Sequence, residues 1–217
     1  MHPESNQNKT RKKGKPAKSV TMKVDIILAG VGGQGILSIA AVIGNAAIEK
    51  KLYVKQSETH GMSQRGGAVV AHLRIADYPV ASDLIPLGRA DMILSVEPLE
   101  ALRYLPYLSN EGYVVTNTVP FVNIPNYPDH GSIMAELHKL PHVIAIDADT
   151  LATIAGSIKA SNMVMVGAAS PLLKMEETGI RAGIVAVFRN KGNEVINLNT
   201  SAFEAGKRAA WPNLPIC

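Results

Sequence analysis

Two stretches of the chain gather residue types at spacings that can do chemistry. The first is Gly30-Val31-Gly32-Gly33-Gln34-Gly35, a G-x-G-x-x-G run set between an apolar segment and a helix-periodic one. Glycines let the backbone turn tightly and let a ligand approach. A helix that starts at the last of them offers unpaired N–H groups and a partial positive charge to an anion. The same glycines also serve a tight turn and close helix–sheet packing, so the loop alone leaves dinucleotide binding and pure packing both open. It is not a P-loop, because Ile36 and Leu37 stand where Lys and Ser/Thr belong. The second stretch, Ser57-Glu58-Thr59-His60-Gly61-Met62-Ser63-Gln64-Arg65-Gly66-Gly67, holds an acid, an imidazole, a guanidinium and three glycines in eleven residues. Core strands do not have this composition. It reads as a functional or interface loop following a strand's C-terminal end, where open α/β sheets place their sites, or as a polar surface loop with a Gly-Gly bend. His60 suits general acid/base work or anion binding. Arg65 suits phosphate or carboxylate recognition through its planar fork, and a structural His with Arg65 paired to Glu58 fits the same residues.

Other candidates are weaker. His138 and His142 are separated by Lys-Leu-Pro, and Pro141 breaks any helix between them, so no metal site is expected there. His72 falls inside an apolar strand pattern and reads as a satisfied sheet residue. There is no G-x-S-x-G elbow and no Cys–His pair suited to nucleophilic catalysis. No catalytic residue and no metal ligand is assigned; the site candidates are Gly30, Gly32, Gly33, Gln34, Gly35, Glu58, Thr59, His60, Arg65 and Gly66, as cofactor-binding or subunit-interface positions.

The elements that must position these residues follow from hydrophobic periodicity. Lys23 to Ala29 is a buried strand, Gly35 to Lys50 a helix, and Tyr53 to Glu58 a second strand, which together read as a βαβ unit with a right-handed crossover. Further strands are expected at Ala68 to Ile75, Asp91 to Val96, Gly112 to Asn117 and Val143 to Asp147. Helices are expected at Glu97 to Leu108, Asp147 to Ile158 and Asn162 to Lys174, and over most of Gly179 to Ala210, with Gly192 as a break. Pro120 to Gly131 is a Pro/Asn-rich loop. The expected fold is α/β: a three-layer α/β/α arrangement with a mostly parallel, Rossmann-like sheet and a helical C-terminal part. Asn162 to Leu173 is apolar nearly all round, which fits either a deep core helix or an obligate interface.

Composition sets the bounds. Of 217 residues, 47% are apolar and 18% charged, enough to fill a core. Residues 1–20 carry Lys9, Arg11, Lys12, Lys13, Lys15 and Lys18 against Glu4, so their +5 leaves −1 of the overall +4 for the rest. The basic balance therefore belongs to a tail, and nucleic acid is not an expected partner. Residues 1–21 are read as a disordered basic tail and 22–217 as a single domain. No run approaches a membrane span, and the tail lacks the apolar core of a secretory signal. Cys217 is the single cysteine, too few thiolates for an iron–sulfur cluster held by this chain alone. A cytoplasmic location is expected.

Together with VDIILAGVGGQGILSIAAVIGNAA, the ETHGMSQRGG loop closely resembles the gamma-subunit family of pyruvate and 2-oxoacid:ferredoxin oxidoreductases, and within it the indolepyruvate type. The resemblance covers residues 22 to 208 and includes Asp83 to Pro86 (DLIP), the ADMILSVEPLEALRYLPYL segment and NMVMVGAAS. It implies a small subunit of a complex that oxidatively decarboxylates arylpyruvates, passes the electrons to ferredoxin and transfers the acyl group to coenzyme A. Thiamine diphosphate, Mg and the iron–sulfur clusters are then expected in a large alpha subunit, with coenzyme A at a shared site and no cofactor held by this chain alone. Other readings are a gamma subunit of a pyruvate or 2-oxoglutarate oxidoreductase, a free-standing Rossmann-type NAD(P) or FAD enzyme, and a structural adaptor whose glycines serve only packing.

Overall fold

A computed structural model describes residues 21–60 and 66–213. The elements run β1 (Lys23–Val31), α1 (Ile36–Glu49), β2 (Tyr53–His60), β3 (Ala68–Ala76), β4 (Ala90–Ser95), α2 (Pro98–Arg103), β5 (Leu108–Asn117), α3 (His130–Leu137), β6 (Val143–Ile146), α4 (Ala148–Ile154), α5 (Ser161–Ala169), α6 (Glu177–Phe188) and α7 (Asn193–Ala210). The six strands form one sheet in the order β2-β3-β1-β4-β5-β6. β1, β4, β5 and β6 pair in parallel, while β3 is antiparallel to both β1 and β2. Five of the six strands thus point the same way, which is the mostly parallel sheet expected.

The strands are buried on both faces, and this is why they read as continuous apolar runs. Alternate residues of β1 go to opposite cores. Ile26 and Leu28 join α1, α5, α6 and α7 on one face, whereas Ile27 joins α2 and α3 on the other. Helices cover both faces, giving the three layers. Among the described residues no helix is long and apolar enough to cross a membrane.

The expected βαβ unit is corrected in one respect. β1 and β2 do run parallel, but they are not hydrogen-bonded to each other, because β3 lies between them. In register, Leu28 opposes Ala71, which opposes Glu58, and Gly30 opposes Val69, which opposes His60. Hydrophobic periodicity assigns faces, not neighbours, and nothing in it distinguishes an adjacent second strand from one displaced by an inserted hairpin partner.

Several helices are shorter than expected. The 97–108 segment stops at Arg103, and Pro106 sits in a 3-10 turn that leads directly into β5. α5 gives way at Ser170 to a 3-10 turn containing Pro171, because proline lacks the N–H a continuing helix needs. α3 was not expected at all. Its start is set by Asp129, whose carboxylate accepts from the Ser132 N–H at 2.9 Å, while Ile133 and Leu137 face the core.

The two readings of Asn162–Leu173 resolve in favour of core. Every residue of α5 from Asn162 to Ala169 is buried. α5 crosses α7 at two glycines so closely that a Cβ on Gly206 would lie 1.9 Å from the Val164 carbonyl oxygen, and one on Gly167 would lie 1.9 Å from that of Phe203.

Candidate functional site

The glycine loop leaves β1 at the sheet's C-terminal edge and enters α1. Gly35 caps the helix in the left-handed conformation (φ 83°), with no side-chain cap, so the first turn of α1 faces the loop as bare backbone. Gly30 serves packing: a Cβ there would lie 2.4 Å from Val96 Cγ2 and 2.8 Å from Ile36 Cδ1. Gln34 is a strut for its own loop. Its Oε1 accepts from the Val31 N–H at 2.7 Å and its Nε2 donates to the Val96 carbonyl at 3.4 Å, which ties the loop to the end of β4.

The two motif loops meet. The Gly32 N–H donates to the Gly67 carbonyl at 2.8 Å, and the Gly66 N–H donates back to the Gly32 carbonyl at 3.5 Å. The sheet register explains the meeting, since β2 ends beside the end of β1 with only β3 between. Gly32, Gly33, Gly35 and Glu58, with Leu37 and Val69, line a cleft of about 290 Å³. Thr59 is exposed and alternates to the strand face opposite Glu58, so it lines neither this cleft nor the larger one described below. His60 ends β2. Arg65 lies outside the described residues. A third segment joins from the Pro/Asn-rich loop, where Asn123 Nδ2 donates to the Gly66 carbonyl at 2.7 Å. Phe121 and Val122 beside it are exposed.

That third segment is held from beneath by Glu97, which is 1% exposed. Its carboxylate accepts the Glu100 N–H at 2.8 Å, the Phe121 N–H at 3.4 Å and the Tyr127 hydroxyl. Burial and the bond to Glu97 push the Tyr127 hydroxyl well above the usual tyrosine range, so it stays a donor. Burial likewise raises the Glu100 carboxyl, against the pull of Arg103.

On the other side of the glycine loop lies a larger cleft of about 690 Å³, which sequence reasoning missed. Its walls come from the glycine loop, the end of β4, the turn between α4 and α5, and the turn between α6 and α7. Asp149, Lys159, Asn162 and Lys191 bring the polar groups, and Ile158, Phe188 and Leu198 the apolar ones. Asn117 Nδ2 donates to Asp149 at 3.2 Å, and burial raises the Asp149 carboxyl. The cleft lies between the ends of β1 and β4, whose following helices go to opposite faces of the sheet. That is the topological switch point where open α/β sheets bind ligands. The one available signal was the strand order, which sequence does not print.

The DLIP segment does not join the site. Arg74 holds it by donating to the Ser82 and Leu84 carbonyls at 3.0 and 3.1 Å, while its Nε and Nη2 pair with buried Asp25 at 2.9 and 3.1 Å. The Ile85 N–H donates to His72 Nδ1 at 3.1 Å, and the imidazole meets Tyr107 edge-on at 5.3 Å. His72 is therefore the satisfied sheet histidine expected, and burial lowers its pKa.

With this geometry in hand, comparison with known proteins is informative. Residues 25–209 match the family model of pyruvate ferredoxin/flavodoxin oxidoreductase. The chain is 37% identical to the indolepyruvate oxidoreductase subunit IorB of Archaeoglobus fulgidus, over 89% of this chain and 98% of that protein. It is 39% identical to the subunit of the same name from Methanothermobacter thermautotrophicus, over 87% of this chain and 98% of that protein. Among solved structures it resembles a 2-oxoglutarate:ferredoxin oxidoreductase from Magnetococcus marinus with 2-oxoglutarate, coenzyme A and succinyl-CoA bound. The TM-score is 0.70 at 22% identity, covering 88% of this chain and 32% of that one. At that identity the likeness shows the fold.

Proposed function

The chain belongs to the pyruvate ferredoxin/flavodoxin oxidoreductase family, and from that premise we propose that it completes the coenzyme A side of an arylpyruvate-oxidising complex. It is a small subunit of a 2-oxoacid:ferredoxin oxidoreductase, an enzyme that acts as an assembly of subunits. In this reading a large alpha subunit carries thiamine diphosphate with Mg and the iron–sulfur clusters, and the complex delivers electrons to ferredoxin in the cytoplasm. Thiamine diphosphate supplies the carbanion chemistry of decarboxylation when bound. This chain's single cysteine does not fit a cluster, and no electron-transfer step is assigned to it.

The observation that carries the proposal is the backbone pairing of Gly32 with Gly66 and Gly67, which joins the glycine loop to the end of the second motif beside a cleft that Glu58 also lines. There the uncapped first turn of α1 presents N–H groups suited to an anion, with Glu58 opposite. Arg65, next to Gly66 in sequence, has a guanidinium fork, which suits a coenzyme A phosphate or a carboxylate of the alpha subunit. Exposed Leu37, Phe121 and Val122 around this edge suit a surface that another subunit covers.

The test is reconstitution with the alpha subunit. Arg65→Lys keeps the charge and loses the fork, so the KM for coenzyme A should rise by roughly tenfold, the equivalent of one charge-assisted hydrogen bond, with the isolated chain's melting temperature unchanged. Wild-type kinetics in that variant would count against the shared-site reading. So would indolepyruvate decarboxylation by the isolated chain.

A further inference from the structure

The segment 118–129 has no helix or strand of its own, yet one buried side chain holds it at two places. Glu97 divides its carboxylate between two tasks. Oε2 accepts the Glu100 N–H at 2.8 Å, which caps α2. Oε1 accepts the Phe121 N–H at 3.4 Å and the Tyr127 hydroxyl. The first task builds a helix. The second builds no element of the fold; it draws residues 121–127 into a strap whose two ends meet at one oxygen. Midway along the strap, Asn123 Nδ2 donates to the Gly66 carbonyl at 2.7 Å. The contacts then close on themselves. Gly66 and Gly67 pair with Gly32, Gln34 of the same glycine loop donates to the Val96 carbonyl at 3.4 Å, and Val96 adjoins Glu97 in the chain. Four segments distant in sequence thus form one ring beside the smaller cleft.

We propose that Glu97 and Tyr127 are positioning residues for the cleft between the glycine loop and the second motif: Glu97 Oε1 fixes the strap, and the strap sets Gly66 through Asn123. A loop of this length keeps one place only where its anchors offset the entropy of ordering it. A hydroxyl donating to a carboxylate belongs to the stronger class of hydrogen bond. Burial and the bond to Glu97 raise the Tyr127 hydroxyl, so it remains the donor. The strap's links to Glu97 and to Gly66 lie in series, so losing either one releases the same contact. The inference brings into the site residues that belong to neither motif. It rests on the coenzyme A reading only for what the cleft binds.

The experiment is amide hydrogen exchange of the full-length chain by NMR, followed at Gly32, whose N–H donates to Gly67. Tyr127→Phe removes one hydroxyl and leaves the Oε2 cap of α2 intact. It should speed Gly32 exchange by roughly tenfold, the effect of one net hydrogen bond, and Asn123→Ala should do the same. Because the links are in series, the double variant should exceed either single by no more than about twofold. Effects that multiply would overturn the proposal, as would wild-type exchange in Tyr127→Phe. Ile75→Val, a core truncation near the other end of β3, controls for a purely structural loss and should leave Gly32 near its wild-type rate; equal acceleration there would also overturn it. In the complex reconstituted with the alpha subunit, Tyr127→Phe should raise the KM for coenzyme A several-fold without moving that for indolepyruvate. Faster Gly32 exchange with an unmoved coenzyme A KM would support the strap and count against the coenzyme A reading. An Arg65-dependent coenzyme A KM with Gly32 exchange untouched by Tyr127→Phe would sink this inference and leave that reading standing.

Discussion

Glycine does opposite work in two regions of this molecule. At the α5–α7 crossing, Gly167 and Gly206 vanish into contact, each against the carbonyl backbone of the other helix. At the sheet's C-terminal edge, Gly33 has a left-handed backbone (φ 102°), and a Cβ on it would meet nothing within 4 Å. The first region is closed and fully packed. The second is open and rimmed by exposed apolar side chains. A protein that serves as one part of an assembly has reason to be built this way. The α5–α7 crossing is closed by packing within the chain, whereas the glycine loop presents backbone N–H groups at an open cleft.

The comparison is easiest to break at the crossing. Gly206→Ala should destabilise the chain by at least about 3 kcal/mol, because backbone rather than a flexible side chain opposes the new methyl. Melting should fall by roughly 6–12 °C for a chain of this size. A shift under a couple of degrees would mean that the helices can part, and that the contrast with the open edge is overstated.

Gly33→Ala sharpens the other half. The added methyl has room, so only the left-handed backbone resists, at about 1 kcal/mol. Thermal melts of both variants side by side should therefore separate them clearly, with Gly33→Ala the milder. If it proves the more damaging, the loop is packed more tightly than its open surroundings indicate.

His72 tests whether the region below the site is as settled as the crossing. Burial depresses its pKa, outweighing the attraction of Asp83, and Nδ1 must stay unprotonated to accept from Ile85. The unfolded chain then binds more protons than the folded one below about pH 6.5. The stabilisation is present above that value and is lost as pH falls toward the lowered folded value, with a slope of at most about 1.4 kcal/mol per pH unit. Urea unfolding between pH 5 and 8 should show this slope in the wild type and a flatter one in His72→Gln. Identical slopes would remove His72 as the cause.

The smallest effect is expected at the N-terminus. Residues 1–20 carry six cations, so a chain starting at Met22 is expected to melt within about a degree of the full one and to assemble equally well. A larger loss in either measurement would give the tail a structural or docking role.

The sequence by itself determined a good deal. Apolar runs buried on both sides spelled out the parallel core strands, the spacing around Gly30–Gly35 gave a loop entering a helix, and the two motifs carried the family. His72 was legible because a histidine in an apolar strand has few other options. The short α3 was signalled by Asp129 ahead of Ile133 and Leu137, but the surrounding prolines and asparagines masked it. What only the tertiary structure decided was adjacency. That β3 enters antiparallel between β1 and β2 is a choice of neighbours, and side-chain periodicity fixes faces without fixing neighbours. Whether α5 was core or interface turned on a glycine contact with α7, some forty residues away in sequence. The larger cleft is the extreme case. Gly35, Asp149, Asn162 and Lys191 lie on four separate segments, each unremarkable alone, and they line one cleft because the sheet reverses its helix placement between β1 and β4.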